Sequence, residues 1–291
     1  MPVELIQSIA ALRARLYDVR RSAATLALVP TMGALHAGHA RLIEQARREC
    51  QRIVVSIFVN PLQFDRSEDL QRYPKSMDAD LAMCNRLGVD IVFAPTAQDM
   101  YPSGPYCTVV VRRLADHLCG LHRPGHFNGV ATVVLKLFQI VQPDRAYFGE
   151  KDAQQLAIVR RLVADFNVPV EIVGVPTVRE PDGVALSSRN RLLSPSERKS
   201  AVALYRALVE ADRQISAGVA DVNAVKANAV ALIPNEPGLR LEYLEVVDPE
   251  DMQPVSQIVG PVRVAGALWV GSTRLIDNLY SEPRASRRIT N

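Results

Sequence analysis

Two histidines three positions apart, His36 and His39, stand in the stretch PTMGALHAGH (Pro30 to His39), between the apolar run TLALV and the helically spaced RLIEQARREC. They are two of only five histidines in 291 residues, and they share the stretch with Gly33 and Gly38. Glycines permit tight backbone turns, and the helix that follows presents unpaired N–H groups and the positive end of its dipole to whatever lies in front of it. An anion is the natural guest. Imidazole N–H groups can donate to phosphate oxygens and would stabilise negative charge gathering there in a transition state. The competing reading is that one ring caps the helix and the other packs, the usual fate of a generic H-x-x-H pair.

Other groups with chemical capacity stand just past apolar runs. FVNPLQF (Phe58 to Phe64) delivers Asn60, Pro61 and Gln63, and uncharged amides there can hydrogen-bond a hydroxylated ligand without a competing charge. The same letters describe an Asn-Pro turn with a solvated glutamine. FGEKDAQQ (Phe148 to Gln155) sets Lys151 and Asp152 at a helix start, where the lysine can meet phosphate oxygens and Asp152 can cap the helix or accept from ribose hydroxyls. An ordinary surface cluster reads the same way. LSSRN (Leu186 to Asn190) joins two hydroxyls to a guanidinium, which suits a departing pyrophosphate under a closing loop, and equally a serine-rich linker. Asp78 and Asp80 in SMDADL offer hard oxygens to magnesium, although carboxylates complementing a helix dipole are the preferred reading. His117, Cys119, His122 and His126 in HLCGLHRPGH match no familiar zinc spacing.

The elements that must position these groups alternate. TLALVP, RIVVSIFV, DIVFAP, RAYFG and VEIVGVP read as buried strands, with helical ARLIEQARREC, SMDADLAMCNRLG, GVATVVLKLFQIVQ and AQQLAIVRRLVADFN between them. That pattern implies an α/β fold with a parallel sheet of about five or six strands. The N-terminal MPVELIQSIAALRARLYDVRR follows a helical pattern and lacks the layout of a secretory signal. After Pro176, SPSERKSAVALYRALVEADRQISAG opens on Ser-Pro-x-Glu and reads as one long helix, VNAVKANAVALI as a second, and LRLEYLEVVD, VRVAGALWVG and TRLIDNLY as strands. The expected division is an α/β domain over 1–177 and a smaller C-terminal α+β domain over 178–291. The basic end EPRASRRITN reads as a frayed tail.

With 48% hydrophobic and 22% charged residues and a formal net charge of +3, the chain is an ordinary globular one, too balanced for a nucleic-acid partner. No apolar run reaches the ~20 residues of a membrane span. Cys50, Cys84, Cys107 and Cys119 form no C-x-x-C, so reduced thiols in a cytoplasmic protein are expected.

The H-x-G-H form of the histidine pair, directly after a strand, is similar to the adenylyl-transferring signature of the nucleotidyltransferase superfamily related to class I aminoacyl-tRNA synthetases. With it, in order, come FVNPLQF, RYPKS (Arg72 to Ser76), HRPGHFNGVATVVLKLF (His122 to Phe138), FGEKDAQQ, PTVRE (Pro176 to Glu180), LSSRN and RLIDN (Arg274 to Asn278). The ordered set closely resembles the pantoate:β-alanine ligase family over nearly the whole chain. The resemblance implies a Rossmann-like nucleotidyltransferase domain with a C-terminal lid domain, ATP-dependent condensation of pantoate with β-alanine through a pantoyl adenylate, and a homodimer. It implies ATP contacts from Pro30, Thr31, Met32, Gly33, His36, Gly38, His39, Gly149, Lys151, Asp152, Val178, Leu186, Ser187, Ser188 and Arg189. Of these, His36, His39, Lys151, Ser187, Ser188 and Arg189 would face the reacting phosphates. Pantoate and β-alanine fall to Met32, Asn60, Gln63, Arg123, Val133, Val134 and Gln155. Mg2+ would travel on the ATP phosphates, with Asp78 and Asp80 as candidate ligands. The family loop usually reads M-S-S-R-N, so Leu186 is a departure at a position contributing backbone or apolar contact. Two alternatives differ in what they would require. A nucleotidyltransferase for a phosphorylated acceptor would want basic residues where FVNPLQF and KDAQQ supply amides. A silent nucleotide-binding regulator would not need both histidines, Lys151 and SSRN.

Overall fold

The structure is a computed structural model that describes residues 2–65, 70–71, 73–74 and 76–283. Arg72 and Lys75 of the RYPKS motif, and the basic tail from Arg284 onward, lie outside the described residues. By packing, the chain falls into two compact units. One holds the residues up to Val111, Arg123–Glu150 and Ile158–Val178; the other holds Arg112–His122, Lys151–Ala157 and the residues from Arg179 onward.

In the first unit the described residues form one parallel sheet from β1 (Glu4–Ile6), β2 (Leu26–Thr31), β3 (Arg52–Ile57), β4 (Ile91–Phe93), β5 (Arg145–Gly149) and β6 (Glu171–Val175), in the order β1-β4-β3-β2-β5-β6. LALVPT and RIVVSI are apolar along almost their whole length because both faces of a parallel sheet are covered, and five of six residues in each are buried. Helix Ala37–Glu49 turns Leu42, Ile43 and Ala46 into a core shared with Val29, Ile53, Val55 and Tyr147. From β2 the chain winds toward β3 and β4, and from β5 it winds the other way to β6. The crevice beyond the carboxyl ends of β2 and β5 is therefore the topological switch point, where open α/β sheets take ligands.

The N-terminal segment departs from its helical reading. Glu4–Ile6 pairs with β4, and helix Ile9–Arg21 starts only after Ser8, whose side chain accepts from the Ala11 N–H. Three strand residues of which only Ile6 is buried are too few for a periodicity to show.

The second unit carries β7 (Leu239–Val247), β8 (Val262–Val270) and β9 (Thr273–Ser281), antiparallel in that order. The expected long helix opens at Ser194, which forms a reciprocal cap with Glu197, but is interrupted at Ala201 into Pro195–Ser200 and Val202–Ser216. Ala201 remains right-handed helical, and its N–H still reaches the Glu197 carbonyl. The second helix joins Leu204, Ala207, Leu208, Ala211 and Ile215 to Leu244, Val246, Val264 and Leu268 of the sheet in one core.

Candidate active site

The loop after β2 is built around two residues in the left-handed region, Gly33 (φ 83°) and Ala34 (φ 49°). Such a pair aims successive N–H groups at one point, an anion-binding concavity. Here the anion belongs to the protein. Asp80, 2% exposed, accepts from the Ala34 N–H at 2.9 Å and the Leu35 N–H at 2.8 Å, and the Ser76 hydroxyl donates to it at 3.1 Å. Of the two carboxylates read as candidate magnesium ligands, Asp80 is thus engaged by the protein itself. Asp80 turns both oxygens toward the loop, and Asp78 is exposed in the first turn of helix Met77–Arg86. Among the described residues no three His, Cys, Asp or Glu side chains are grouped to hold a metal.

The histidines cap the next helix and also stand together. His36 Nδ1 accepts from the Gly38 N–H at 3.1 Å, and His39 Nδ1 accepts from the His36 N–H at 3.3 Å. A backbone N–H only donates, so both Nδ1 atoms are acceptors and the proton of each neutral ring lies on Nε2. The ring centroids are 4.1 Å apart and both residues are half-buried. Capping and ligand donation are thus compatible in one ring, one nitrogen for each. Gly38 is required by the same geometry, since a Cβ there would lie 2.8 Å from His36 Cε1. Thr31, at the end of β2, donates to the Ser56 carbonyl at 2.7 Å and accepts from the Gly33 N–H at 3.2 Å.

FVNPLQF forms a short 3-10 turn, Pro61–Gln63, capped by Asn60. Asn60 is 1% exposed and its amide is saturated. Its Oδ1 accepts from the Leu62 N–H (3.3 Å) and the Tyr101 hydroxyl (3.0 Å), and its Nδ2 donates to Gln63 Oε1 (3.1 Å) and the Gly129 carbonyl (3.0 Å). With its donors and acceptors all engaged, the Asn60 amide is itself held in one orientation and in turn orients Gln63. Burial pushes the Tyr101 phenol up to about 12, so the hydroxyl keeps its proton for this bond at neutral pH. The backbone groups at both ends of Asn60 fix which way its amide points, and through it Gln63, whose Nε2 donates to Met32 Sδ at 3.0 Å. Arg123 and His126 both reach the Gln63 carbonyl, at 3.2 and 2.7 Å, and Arg123 also pairs with Asp65.

Helix His126–Val141 approaches this turn through Gly129. A Cβ at that position would lie 2.2 Å from the Leu62 carbonyl oxygen and 2.4 Å from its carbon, and both are backbone atoms that cannot rotate away. Gly129→Ala is expected to destabilise the fold by about 1–3 kcal/mol, the usual cost of overpacking, read from the urea midpoint. An unchanged midpoint would mean that the helix and turn separate easily. Val133 and Val134 are buried farther along the same helix. Beyond β5, a Cβ on Gly149 would meet nothing within 4 Å, which leaves open space beside that backbone.

In the second unit, Lys151, Ser187, Arg189, Asn190, Tyr205 and Asp277 line a concavity of about 400 Å3 that includes open solvent. The PTVRE and LSSRN segments build one wall. Arg179 bridges to Ala185 across a turn whose Gly183 (φ 95°) lies so close to Tyr205 that a Cβ would sit 2.0 Å from its ring. Arg179 pairs with Asp277 at 2.6 and 3.0 Å and lies 4.6 Å from the centroid of the Tyr205 ring. Burial pushes the Asp277 carboxyl up, and the adjoining guanidinium opposes that shift. Asn278 donates to the Lys151 carbonyl at 2.9 Å, and Lys151 Nζ lies 3.9 Å from Asp152. Ser187 caps the 3-10 turn Ser188–Leu192 by accepting from the Arg189 N–H; Ser188 is buried. Gln155 is half-buried, whereas its neighbour Gln154 is buried and donates to the Leu114 and His117 carbonyls, both at 2.8 Å.

The predicted residues therefore occupy two groups. Pro30, Thr31, Met32, Gly33, His36, Gly38, His39, Asn60, Gln63, Arg123, Val133, Val134, Gly149 and Val178 belong to the first unit, and Lys151, Asp152, Gln155, Leu186, Ser187, Ser188 and Arg189 to the second. Asp80, Tyr101, Arg179 and Asp277 had no assigned role of this kind in the sequence. Arg179 and Asp277 lie inside two of the quoted motifs, and Asp80 stands in SMDADL as a helix-start or metal carboxylate, whereas nothing local marks Tyr101.

The family model described as pantoate-beta-alanine ligase matches residues 4–280. A bifunctional pantoate ligase/cytidylate kinase of Thermosynechococcus vestitus is 54% identical over 267 residues, which cover 90% of this chain and 52% of that protein. The chain thus spans about half the length of that curated relative. The crystal structure of pantothenate synthetase from Thermus thermophilus superposes with a TM-score of 0.90 at 47% identity, covering 95% of this chain and 99% of the other. Pantoate-beta-alanine ligase from Francisella tularensis, solved in complex with beta-gamma ATP and β-alanine, gives a TM-score of 0.78 at 34% identity, covering 95% and 97%.

Proposed function

The chain belongs to the pantoate-β-alanine ligase family, and from that premise we propose that it condenses pantoate with β-alanine at the expense of ATP, releasing AMP and pyrophosphate. The observation that carries this reading is the pair of imidazoles 4.1 Å apart whose Nδ1 atoms are held by backbone N–H groups. In this reading the Nε2–H groups are the donors that turn to the phosphate.

A carboxylate and an amine do not condense in water without a better leaving group than hydroxide. In the first half-reaction a pantoate carboxylate oxygen attacks the α-phosphorus of ATP, the bond to the bridging oxygen breaks, and pyrophosphate leaves. In the second, the β-alanine amine attacks the acyl carbon and AMP departs with the anhydride oxygen. No protein nucleophile takes part, so the work is alignment and charge stabilisation. His36 and His39 donate to phosphate oxygens around the α-phosphorus. Lys151, Ser187, Ser188 and Arg189 receive the β- and γ-phosphates and the departing pyrophosphate. Gln63 and Gln155 hold the acid, and Met32, Val133 and Val134 supply apolar contact to it. The backbone around Pro30 and Gly33, together with Gly149, Asp152, Val178 and Leu186, accommodates the rest of the nucleotide. The complex of the Francisella tularensis relative with beta-gamma ATP and β-alanine supports the substrate pair.

Magnesium enters with the nucleotide in this reading. Mg2+ keeps several waters and needs few protein oxygens when phosphates are present. We also propose a cytoplasmic homodimer with no nucleic-acid or membrane partner. Among the described residues no helix is long and apolar enough to cross a membrane.

Two product measurements test the function. Pyrophosphate should appear from ATP only with pantoate, and AMP should follow only when β-alanine is added. Pyrophosphate release indifferent to pantoate would sink the reading. For the acid subsite, Asn60→Asp would set a carboxylate oxygen against Gln63 Oε1 and the Gly129 carbonyl, reversing the Gln63 amide. An increase of about tenfold or more in KM for pantoate is expected, with KM for ATP nearly unchanged.

A further inference from the structure

A buried carboxylate, Asp80, bonds the loop that precedes His36. We propose that Asp80 is a positioning residue for adenylate formation: it holds the loop before His36 in its left-handed form, and so sets where the two imidazoles stand. This rests on the ligase reading above.

The geometry is closed on every side. Asp80 Oδ2 takes the Ala34 N–H and Oδ1 takes the Leu35 N–H, at 2.9 and 2.8 Å, across 46 and 45 residues of sequence. Ser76 donates to Oδ1 at 3.1 Å, and Oδ2 lies 3.1 Å from where a Gly33 Cβ would be. Ala34 has φ 49°, a conformation disfavoured for a residue with a Cβ. Charge-assisted bonds from two successive N–H groups offset that preference. Leu35 is followed directly by His36, the cap residue, whose own N–H is taken by His39. Movement at Ala34 and Leu35 is therefore passed to both rings within one to five residues of chain. Asp80 itself, 2% exposed, acts on the phosphates only through that loop.

Asp80→Asn is the informative change, because an amide of the same shape can accept at one end only. One of the Ala34 and Leu35 N–H groups must then face an NH2. Adenylate formation, followed in single turnover by pyrophosphate release, is expected to fall by about tenfold to a hundredfold, the scale of a small misplacement of catalytic groups. Attack of β-alanine on preformed adenylate should stay within about twofold. In a His36→Ala background the same change should cost little more, since both act through one loop. Equal losses in both half-reactions, or multiplicative losses with His36→Ala, would overturn the proposal and leave Asp80 a general stabiliser. Amide NMR separates this outcome from failure of the ligase reading. The Ala34 and Leu35 N–H signals should show carboxylate-bonded shifts that Asp80→Asn removes from one of them, whatever the enzyme turns over. Unchanged shifts would also overturn it. Should Asp80→Asn fail to fold, Ser76→Ala removes a single bond to the carboxylate. It must then slow adenylate formation a few fold and spare the second half-reaction; no selective slowing refutes the proposal.

Discussion

Replacing His36 by asparagine is expected to lower pantoate-dependent pyrophosphate release by at least about a hundredfold, while the melting temperature holds or rises. The two outcomes part because the ring has two occupations. Its Nδ1 caps helix Ala37–Glu49 by accepting from the Gly38 N–H at 3.1 Å, and in the ligase reading its Nε2–H donates to a phosphate. Asparagine is among the best cap residues, so the first occupation survives the change. Its short amide ends before the place where Nε2 stands, so the second is lost. Removing one preorganised donor to developing phosphate charge costs about 10²–10³ in rate. His39→Ala makes a useful contrast. It removes a ring and also the acceptor for the His36 N–H, so both activity and melting temperature should fall. A pyrophosphate-coupled assay beside a calorimetric melt resolves these cases. If the asparagine variant turned over within a few fold of the original chain, His36 would be a cap and nothing more.

The double duty of His36 also explains how much of the site could be seen in the sequence. H-x-G-H after a strand was legible because its parts are contiguous: strand, turn, cap and helix follow one another, and each has its own residue preferences. In the sequence alone, a helix-capping histidine and a phosphate-facing pair are competing readings of the same residues. The structure shows that both rings cap, each through Nδ1, so capping no longer argues against the phosphate role. The parallel strands were legible for a similar reason, since burial on both faces writes continuous apolar runs such as RIVVSI. β1 was not, because a three-residue edge strand has no period and the helix behind it supplied one.

What stayed hidden depends on bonds that leap across the chain. Asp80 looked like a helix-start carboxylate or a metal ligand, and only its bonds to Ala34 and Leu35 reveal an internal anion for the loop. The Asn60 amide is completed by Gly129, 69 residues away, and Tyr101, 41 residues away. Arg179 and Asp277 meet over 98 residues, and the hydrophobic pattern of either segment says nothing about that pairing. In all three cases the role depends on a partner distant in sequence, because a donor or acceptor is defined by what it meets. Spacing rules report neighbours along a helix or strand; they carry no information about backbone groups arriving from another element.

Lys151→Ala should produce a loss of comparable size, about two orders of magnitude or more in the rate of adenylate formation, by analogy with removal of one preorganised donor. Lys151 lines the second-unit concavity together with Ser187, Arg189 and Asp277, and its backbone is held by Asn278 through a 2.9 Å bond. The side chain is 19% exposed, so a phosphate meeting its ammonium would be partly shielded from water and the attraction correspondingly stronger than at an open surface. Two features moderate the magnitude. Asp152 lies 3.9 Å from Nζ and already satisfies part of the charge, and Arg189 in the same concavity can take up some of the lost stabilisation. Lys151→Met, which keeps the stem and discards the charge, should therefore fall with the alanine variant. Lys151→Arg should recover only part of the rate, since a planar fork does not reproduce a point charge. Rapid-quench single turnover with labelled ATP distinguishes these outcomes from a simple binding defect. The rate at saturating ATP should drop in the first two variants, and β-alanine attack on supplied adenylate should be spared. If only KM for ATP rose while the saturated rate held, Lys151 would bind the nucleotide equally in ground and transition states, and its assignment to the reacting phosphates would have to be given up.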